Sequence, residues 1–138
     1  LLELGLPAYL LEACLAGVLA QRLLRCLCPD CKQLDAAPGA APWQRLTGGQ
    51  LERPDAMYRP VGCAQCRHSG YLGRAGIYEL LSVTETFGQL VKAGADLHAL
   101  RRQSILDGMT PLRIAGARKI IDGTTSIDEV LKLTAALP

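Results

Sequence analysis

Cys28-Pro29-Asp30-Cys31 and Cys63-Ala64-Gln65-Cys66 form two Cys-x-x-Cys knuckles, separated by residues 32 to 62. Two thiolates two residues apart grip one ion from a tight turn, and two such turns supply the four sulfurs that tetrahedral zinc accepts. The pair therefore reads as one structural zinc site with Cys28, Cys31, Cys63 and Cys66 as ligands. The knuckles of a common zinc ribbon stand about 15 to 20 residues apart, so here the site pins a longer stretch of chain. A shell filled by sulfur has no open position for water, and hydrolytic chemistry at the ion is not expected. The competing reading is a redox dithiol. Thioredoxin-type chemistry sets one Cys-x-x-Cys at a helix start within a βαβ pattern, where the helix end lowers the thiol pKa. Both knuckles lie in turn-rich sequence instead.

The rest of the chain limits the fold. Its 138 residues suffice for a core, and 49% hydrophobic residues with only 4% aromatics make that core aliphatic. Leu and Ala dominate, so a mainly α protein with a few short strands is expected. A net charge of +2 with dispersed basic residues does not by itself point to nucleic acid or an anionic membrane. The longest apolar run, Ala13 to Ala20, is far short of the roughly 18 residues of a spanning helix. No cleavable signal stands at the start, and thiols kept as metal ligands fit a cytoplasmic chain. A start at Leu1 reads as a piece of a larger protein.

Pro7 opens a segment in which Leu10, Cys14 and Val18 form one i, i+4 row and Leu11, Leu15 and Leu19 the next. This predicts a helix through Leu19 with one broad buried face and Cys14 in the core, then a short strand before Cys28. Residues 32 to 62 carry Pro38, Gly39, Pro42, Gly48, Gly49, Pro54 and Pro60, which permit one short helix at Ala41–Thr47. They read as an excursion outside the core, held by the metal. Gly70, Gly73 and Gly76 mark turns before a candidate strand at Ile77–Leu81. Thr84 caps a helix ending at Gly94, Asp96 one ending at Gly108, and Thr110-Pro111 starts a third that stops at Gly123. Ser126-Ile127-Asp128-Glu129 is a capping box, making the last third a helical bundle.

Other chemistry-bearing residues receive quieter readings. Cys26 is left out of the ligand set because the knuckle spacing favours Cys28. His68 is a solvated loop residue, since four cysteines fill the shell, and His98 sits on a helix surface. No nucleophile with a base and no paired carboxylates emerge. Arg59, Arg67 and Arg74 gather around the second knuckle as a solvated face or an anion-contacting one.

The run Gly62-Cys63-Ala64-Gln65-Cys66-Arg67-His68-Ser69-Gly70-Tyr71-Leu72-Gly73-Arg74-Ala75-Gly76-Ile77-Tyr78-Glu79-Leu80-Leu81 closely resembles the tetracysteine region of the type II secretion and type IV pilus assembly ATPases. Leu15–Leu23, Leu27–Lys32, Asp107-Gly108-Met109 and Gly123–Val130 match the same family in order. Ser69 stands where the family usually has Thr. No P-loop of the form Gly-x-x-x-x-Gly-Lys-Ser/Thr and no acidic Walker B segment occur here.

The resemblance implies the part downstream of those motifs. Residues 1–27 are then the last helix and edge strand of a RecA-like α/β motor, 28–74 an inserted zinc subdomain, 75–82 a return strand, and 83–138 a C-terminal helical extension. The implied parent is a cytoplasmic hexameric ATPase, using ATP and Mg²⁺, docked on the inner-membrane platform proteins of a secretion machine. This segment alone is expected neither to bind nucleotide nor to hydrolyse it. The resemblance places Arg74 near a subunit interface within influence of a neighbour's nucleotide; Arg22 is a second interface candidate, its alternative a salt bridge at the core edge. Two further readings are a stand-alone zinc-ribbon nucleic-acid binder and a fragment of a type IV pilus ATPase.

Overall fold

A computed structural model describes residues 1–35, 40–92 and 94–136; the predicted breakers Pro38 and Gly39 lie outside them. A 3-10 turn at Leu2–Leu4 precedes helix α1 (Ala8–Cys14), strand β1 (Gly17–Leu27), β2 (Gln33–Asp35), α2 (Ala40–Thr47), β3 (Met57–Arg59) and β4 (Tyr71–Ser82). Helices α3 (Glu85–Leu90), α4 (Leu97–Leu106), α5 (Leu112–Ile121) and α6 (Ile127–Leu133) follow. Strands β1 and β4 pair, as do β2 and β3. The second pair is antiparallel, with Gln33 opposite Arg59, Leu34 opposite Tyr58 and Asp35 opposite Met57. Among the described residues no helix is long and apolar enough to cross a membrane.

The predicted helix through Leu19 is wrong after Cys14. Short aliphatic runs satisfy a helical and an extended pattern equally, and the deciding contact is distant in sequence. A Cβ on Gly17 would lie 2.8 Å from the Leu81 carbonyl oxygen, so the backbones meet closely and β1 begins there. α1 buries none of its residues, and Cys14 is exposed rather than core. The turn expected over 70 to 76 is likewise strand from Tyr71 onward. Gly73 keeps a left-handed φ of 80° within it, a conformation glycine adopts without a Cβ clash.

The chain divides into two compact units. Unit 1 comprises Leu1–Ala20 and Glu79–Thr110; unit 2 comprises Gln21–Tyr78 and residues from Pro111. The helices expected to form a single bundle are thus divided, α3 and α4 in the first unit, α5 and α6 in the second. In unit 1 the predicted caps form. Thr84 Oγ1 accepts the Phe87 N–H at 3.1 Å and donates to Asp107 Oδ2 at 2.8 Å, while Asp96 Oδ1 accepts the His98 N–H at 2.9 Å. α3 stops at Leu90, short of the expected Gly94.

Unit 2 holds the apolar core: Leu24, Trp43, Leu46, Met57, Ile77, Ala117, Ile120 and Val130. Trp43, Leu46 and Met57 come from the segment expected to be an excursion outside the core. That expectation is corrected: α2 packs on α5 and α6. Gly116 makes close helix packing possible, since a Cβ there would lie 2.5 Å from Val130 Cγ1. Buried Arg113 donates to the Thr134 carbonyl at 2.7 Å and the Arg45 carbonyl at 3.4 Å. One guanidinium thereby serves C-terminal carbonyls of α6 and α2, groups that a helix leaves without partners.

Candidate metal centre

The first knuckle follows directly on β1, where Cys28 donates its N–H to the Gly70 carbonyl at 3.0 Å. The chain then turns tightly, the Lys32 N–H reaching the Cys28 carbonyl at 3.0 Å. The second knuckle closes through His68 N–H to the Cys63 carbonyl (2.8 Å) and Ser69 N–H to the Cys66 carbonyl (3.1 Å). Arg67 and His68 both take left-handed backbone, φ 53° and 61°, a conformation costing about 1–2 kcal/mol per non-glycine residue. Gly62 and Gly70 flank the turn because no side chain fits: a Cβ would lie 2.8 Å from the His68 carbonyl oxygen and 2.5 Å from Pro60 Cβ, respectively.

The four sulfurs of Cys28, Cys31, Cys63 and Cys66 all lie within 4.8 Å of one another. Cys28 and Cys63 are separated by 3.9 Å, Cys31 and Cys66 by 3.8 Å, and Cys63 and Cys66 by 3.8 Å. A tetrahedron with metal–sulfur bonds of about 2.3 Å has edges of about 3.8 Å, whereas a disulfide requires about 2.05 Å. The cage has the dimensions of a metal site and not of a bonded pair. A soft all-sulfur donor set of this shape selects zinc or iron over hard cations.

Backbone amides are aimed at the sulfurs. The Cys63 and Gly70 N–H groups each donate to Cys66 Sγ at 3.2 Å, and Gly62 N–H donates to Cys31 Sγ at 3.3 Å. The Cys63 amide, joined by that of Gly70, brings the Cys66 thiol down to about 6. Burial pushes Cys31 up to about 11, and burial also raises Cys28. Cys66 is readied as a thiolate while burial favours the protonated forms of Cys28 and Cys31, and a cation displaces their protons on binding.

The cage is tied to the rest of unit 2 by contacts that sequence reading missed. Ser69 Oγ donates to the Cys66 carbonyl at 2.6 Å and accepts the Tyr71 N–H at 3.2 Å. The Tyr71 hydroxyl meets Ser126 Oγ at 2.7 Å, and the Arg25 guanidinium lies 4.0 Å over the Tyr71 ring. Arg25 grips the buried Glu129 carboxylate through Nε at 3.0 Å and Nη2 at 2.6 Å. This pairing holds Glu129 below the usual carboxylate range and raises Arg25. It also corrects the expected capping box. Ser126 Oγ accepts the Glu129 N–H at 3.3 Å, but the carboxylate turns to Arg25 instead of the Ser126 amide. Lys32, next to the first knuckle, donates to the Gly123 carbonyl at 2.9 Å and lies 4.4 Å over the Tyr58 ring.

The other candidates stand apart from the cage. Arg74 is exposed on β4. Arg22 is exposed on β1 and donates to the Gln21 carbonyl at 3.2 Å; among the described residues no carboxylate pairs with it. His68 is exposed and outside the sulfur cluster; Cys26 is half-buried and also outside it. A concavity of about 450 Å³ in unit 1 is lined by Phe87, Leu97, His98, Arg101, Ser104 and Met109 among others. Ser104 Oγ there donates to the Leu100 carbonyl at 2.7 Å and so has no base to activate it.

Fold and site define a mixed chain of helices and two small sheets with a four-cysteine cluster of a size that fits a metal ion. Its sequence matches the family described as type II/IV secretion system protein over residues 1–132, and the chain belongs to that family. It is 48% identical over 132 residues to the type IV pilus assembly ATPase TfpB of Acinetobacter baylyi, covering 95% of this chain and 22% of that protein. Type II secretion system protein E of Aeromonas hydrophila is 40% identical over 133 residues, covering 96% of this chain and 26% of that protein. Type II secretion system ATPase E of Vibrio cholerae is 38% identical, at 96% and 26% coverage. The chain thus spans about a quarter of the length of these relatives.

Proposed function

We propose that the chain is the C-terminal part of a cytoplasmic hexameric ATPase that drives assembly of pilin-like subunits in a secretion or pilus machine, and that Cys28, Cys31, Cys63 and Cys66 hold one structural zinc. The observation that carries this is the family match across residues 1–132 joined to four sulfurs at tetrahedral separations. Bound zinc would supply a fixed node and no reactive position, because sulfur fills its shell. ATP and Mg²⁺ would be handled by the parts of the parent outside this chain, which itself contains no Gly-x-x-x-x-Gly-Lys-Ser/Thr run. In this reading Arg74, exposed on β4, and Arg22, exposed on β1, are available to a neighbouring subunit. Inner-membrane platform proteins are the remaining partners.

Pilus assembly is the alternative reading of the machine, favoured by one relative and not by a second pilus-assembly ATPase at 39% identity. Identity is 48% to a pilus-assembly ATPase against 40% and 38% to two type II secretion relatives. The test is elemental analysis and native mass spectrometry of the full-length parent, with ATP turnover measured on the same sample. One zinc per chain, a six-chain assembly and turnover are expected. A metal-free, non-hydrolysing monomer that binds duplex DNA with a steep salt dependence would replace this reading with the nucleic-acid one.

A further inference from the structure

Metal binding makes all four cage sulfurs thiolates, so their reactivities differ through access and through the hydrogen bonds each accepts. Cys28 and Cys66 are buried, whereas Cys31 and Cys63 are half-buried. Cys66 Sγ accepts two amide N–H groups and Cys31 Sγ accepts that of Gly62. Among the described residues no amide is aimed at Cys63 Sγ. An N–H bound to a thiolate stabilises the electron pair that would attack an electrophile. Cys63 alone combines partial exposure with an unencumbered lone pair.

We propose that Cys63 is a modification site: the thiolate at which soft electrophiles and peroxides enter the cage, and whose modification opens it. This rests on the metal reading above. With hydrogen peroxide as oxidant, Cys63 Sγ attacks one oxygen, an S–O bond forms, the O–O bond breaks and hydroxide leaves. The sulfur becomes a sulfenic acid, oxidised by two electrons. A neighbouring thiolate, Cys66 at 3.8 Å or Cys28 at 3.9 Å, then attacks that sulfur and expels a second hydroxide as the disulfide forms. Two thiolates and one peroxide give one disulfide and two hydroxides, and the cage loses two of its four donors. The left-handed turn at Arg67 and His68, which the closed knuckle holds, is then released.

The experiment uses the full chain carrying Cys14→Ala and Cys26→Ala, two positions outside the cage, after its zinc content has been measured. Substoichiometric N-ethylmaleimide, and separately hydrogen peroxide, are added while zinc release is followed with a chromogenic chelator and modified peptides are mapped by mass spectrometry. Cys63 is expected to be modified roughly tenfold faster than Cys28, Cys31 or Cys66, with zinc release in step. Cys31 is also half-buried and differs in its amide contact, so Cys31 reacting first or at an equal rate overturns the inference and leaves the metal reading standing. A chain that contains no metal before treatment overturns both.

Discussion

Unit 2 and unit 1 are held together by different means. Of the buried apolar side chains among the described residues, Phe87 belongs to unit 1, while Leu24, Leu27, Trp43, Leu46, Met57, Ile77, Ile114, Ala117, Ile120 and Val130 belong to unit 2. Unit 2 adds the cysteine cage and the Arg25–Glu129 pair. Unit 1 relies on helix caps and leaves large apolar side chains exposed, among them Leu19 at 60% and Leu106 at 79%. Unit 2 is accordingly equipped to hold its own fold, whereas unit 1 has few buried contacts to set against chain entropy. Local opening should therefore begin in unit 1.

Metal removal is the strongest test of that contrast. Structural zinc contributes about 10–16 kcal/mol in isolated zinc-finger peptides, an upper reference for a site that here sits beside an apolar core. A strong chelator should lower the melting temperature of unit 2 and abolish hydrogen-exchange protection at 28–31 and 62–70. Amides of α2 should keep their protection, because Trp43 and Leu46 stay buried. If α2 opens with the knuckles, the metal and not the core holds it. Leu46→Ala should come next, destabilising unit 2 by about 2–5 kcal/mol through the cavity it leaves, with exchange in α4 unchanged. A denaturation midpoint unmoved by this substitution would remove Leu46 from the core.

Glu129→Gln should cost unit 2 about 1–2 kcal/mol, toward the low end for charged hydrogen bonds because half of the Arg25 side chain is in water. The folded Glu129 titrates below its unfolded value of about 4.3. Its stabilisation is thus complete above that value and is lost as pH falls through the lower folded one. Acid denaturation compared between wild type and Glu129→Gln should show the difference at neutral pH shrinking below pH about 4; a constant difference would contradict the pairing. The smallest effect is Thr84→Ala, about 1 kcal/mol from the lost cap, seen as faster exchange at Phe87 with unit 2 unaffected. Equal exchange in the variant would show that the cap is dispensable.

What could be read from residues follows the range of the interaction concerned. The caps at Thr84, Asp96 and Ser126 join residues two or three positions apart, so local pattern suffices. Helix α2 was legible within one residue, and Trp43 with Leu46 at i, i+3 was a signal that the segment had an apolar face. The density of prolines and glycines hid it. The end of strand β1 before Cys28 was legible but its beginning at Gly17 was not, because Leu10 to Leu19 fits a helical row and only β4, more than 50 residues away, makes Gly17 to Leu19 extended. The Arg25–Glu129 pair spans 104 positions, and nothing in either neighbourhood announces the other.

The amino-acid order alone pointed to the four clustered cysteines, the helix starts and the family, because cysteine spacing and capping residues act within a few bonds of where they are written. Only the tertiary structure decided where β1 begins, that residues 40–59 enter the core, and that the last helix answers to Arg25 rather than to its own first turn. Those outcomes depend on which surfaces meet once the chain has closed, and burial and pairing between distant segments outweigh local preference there.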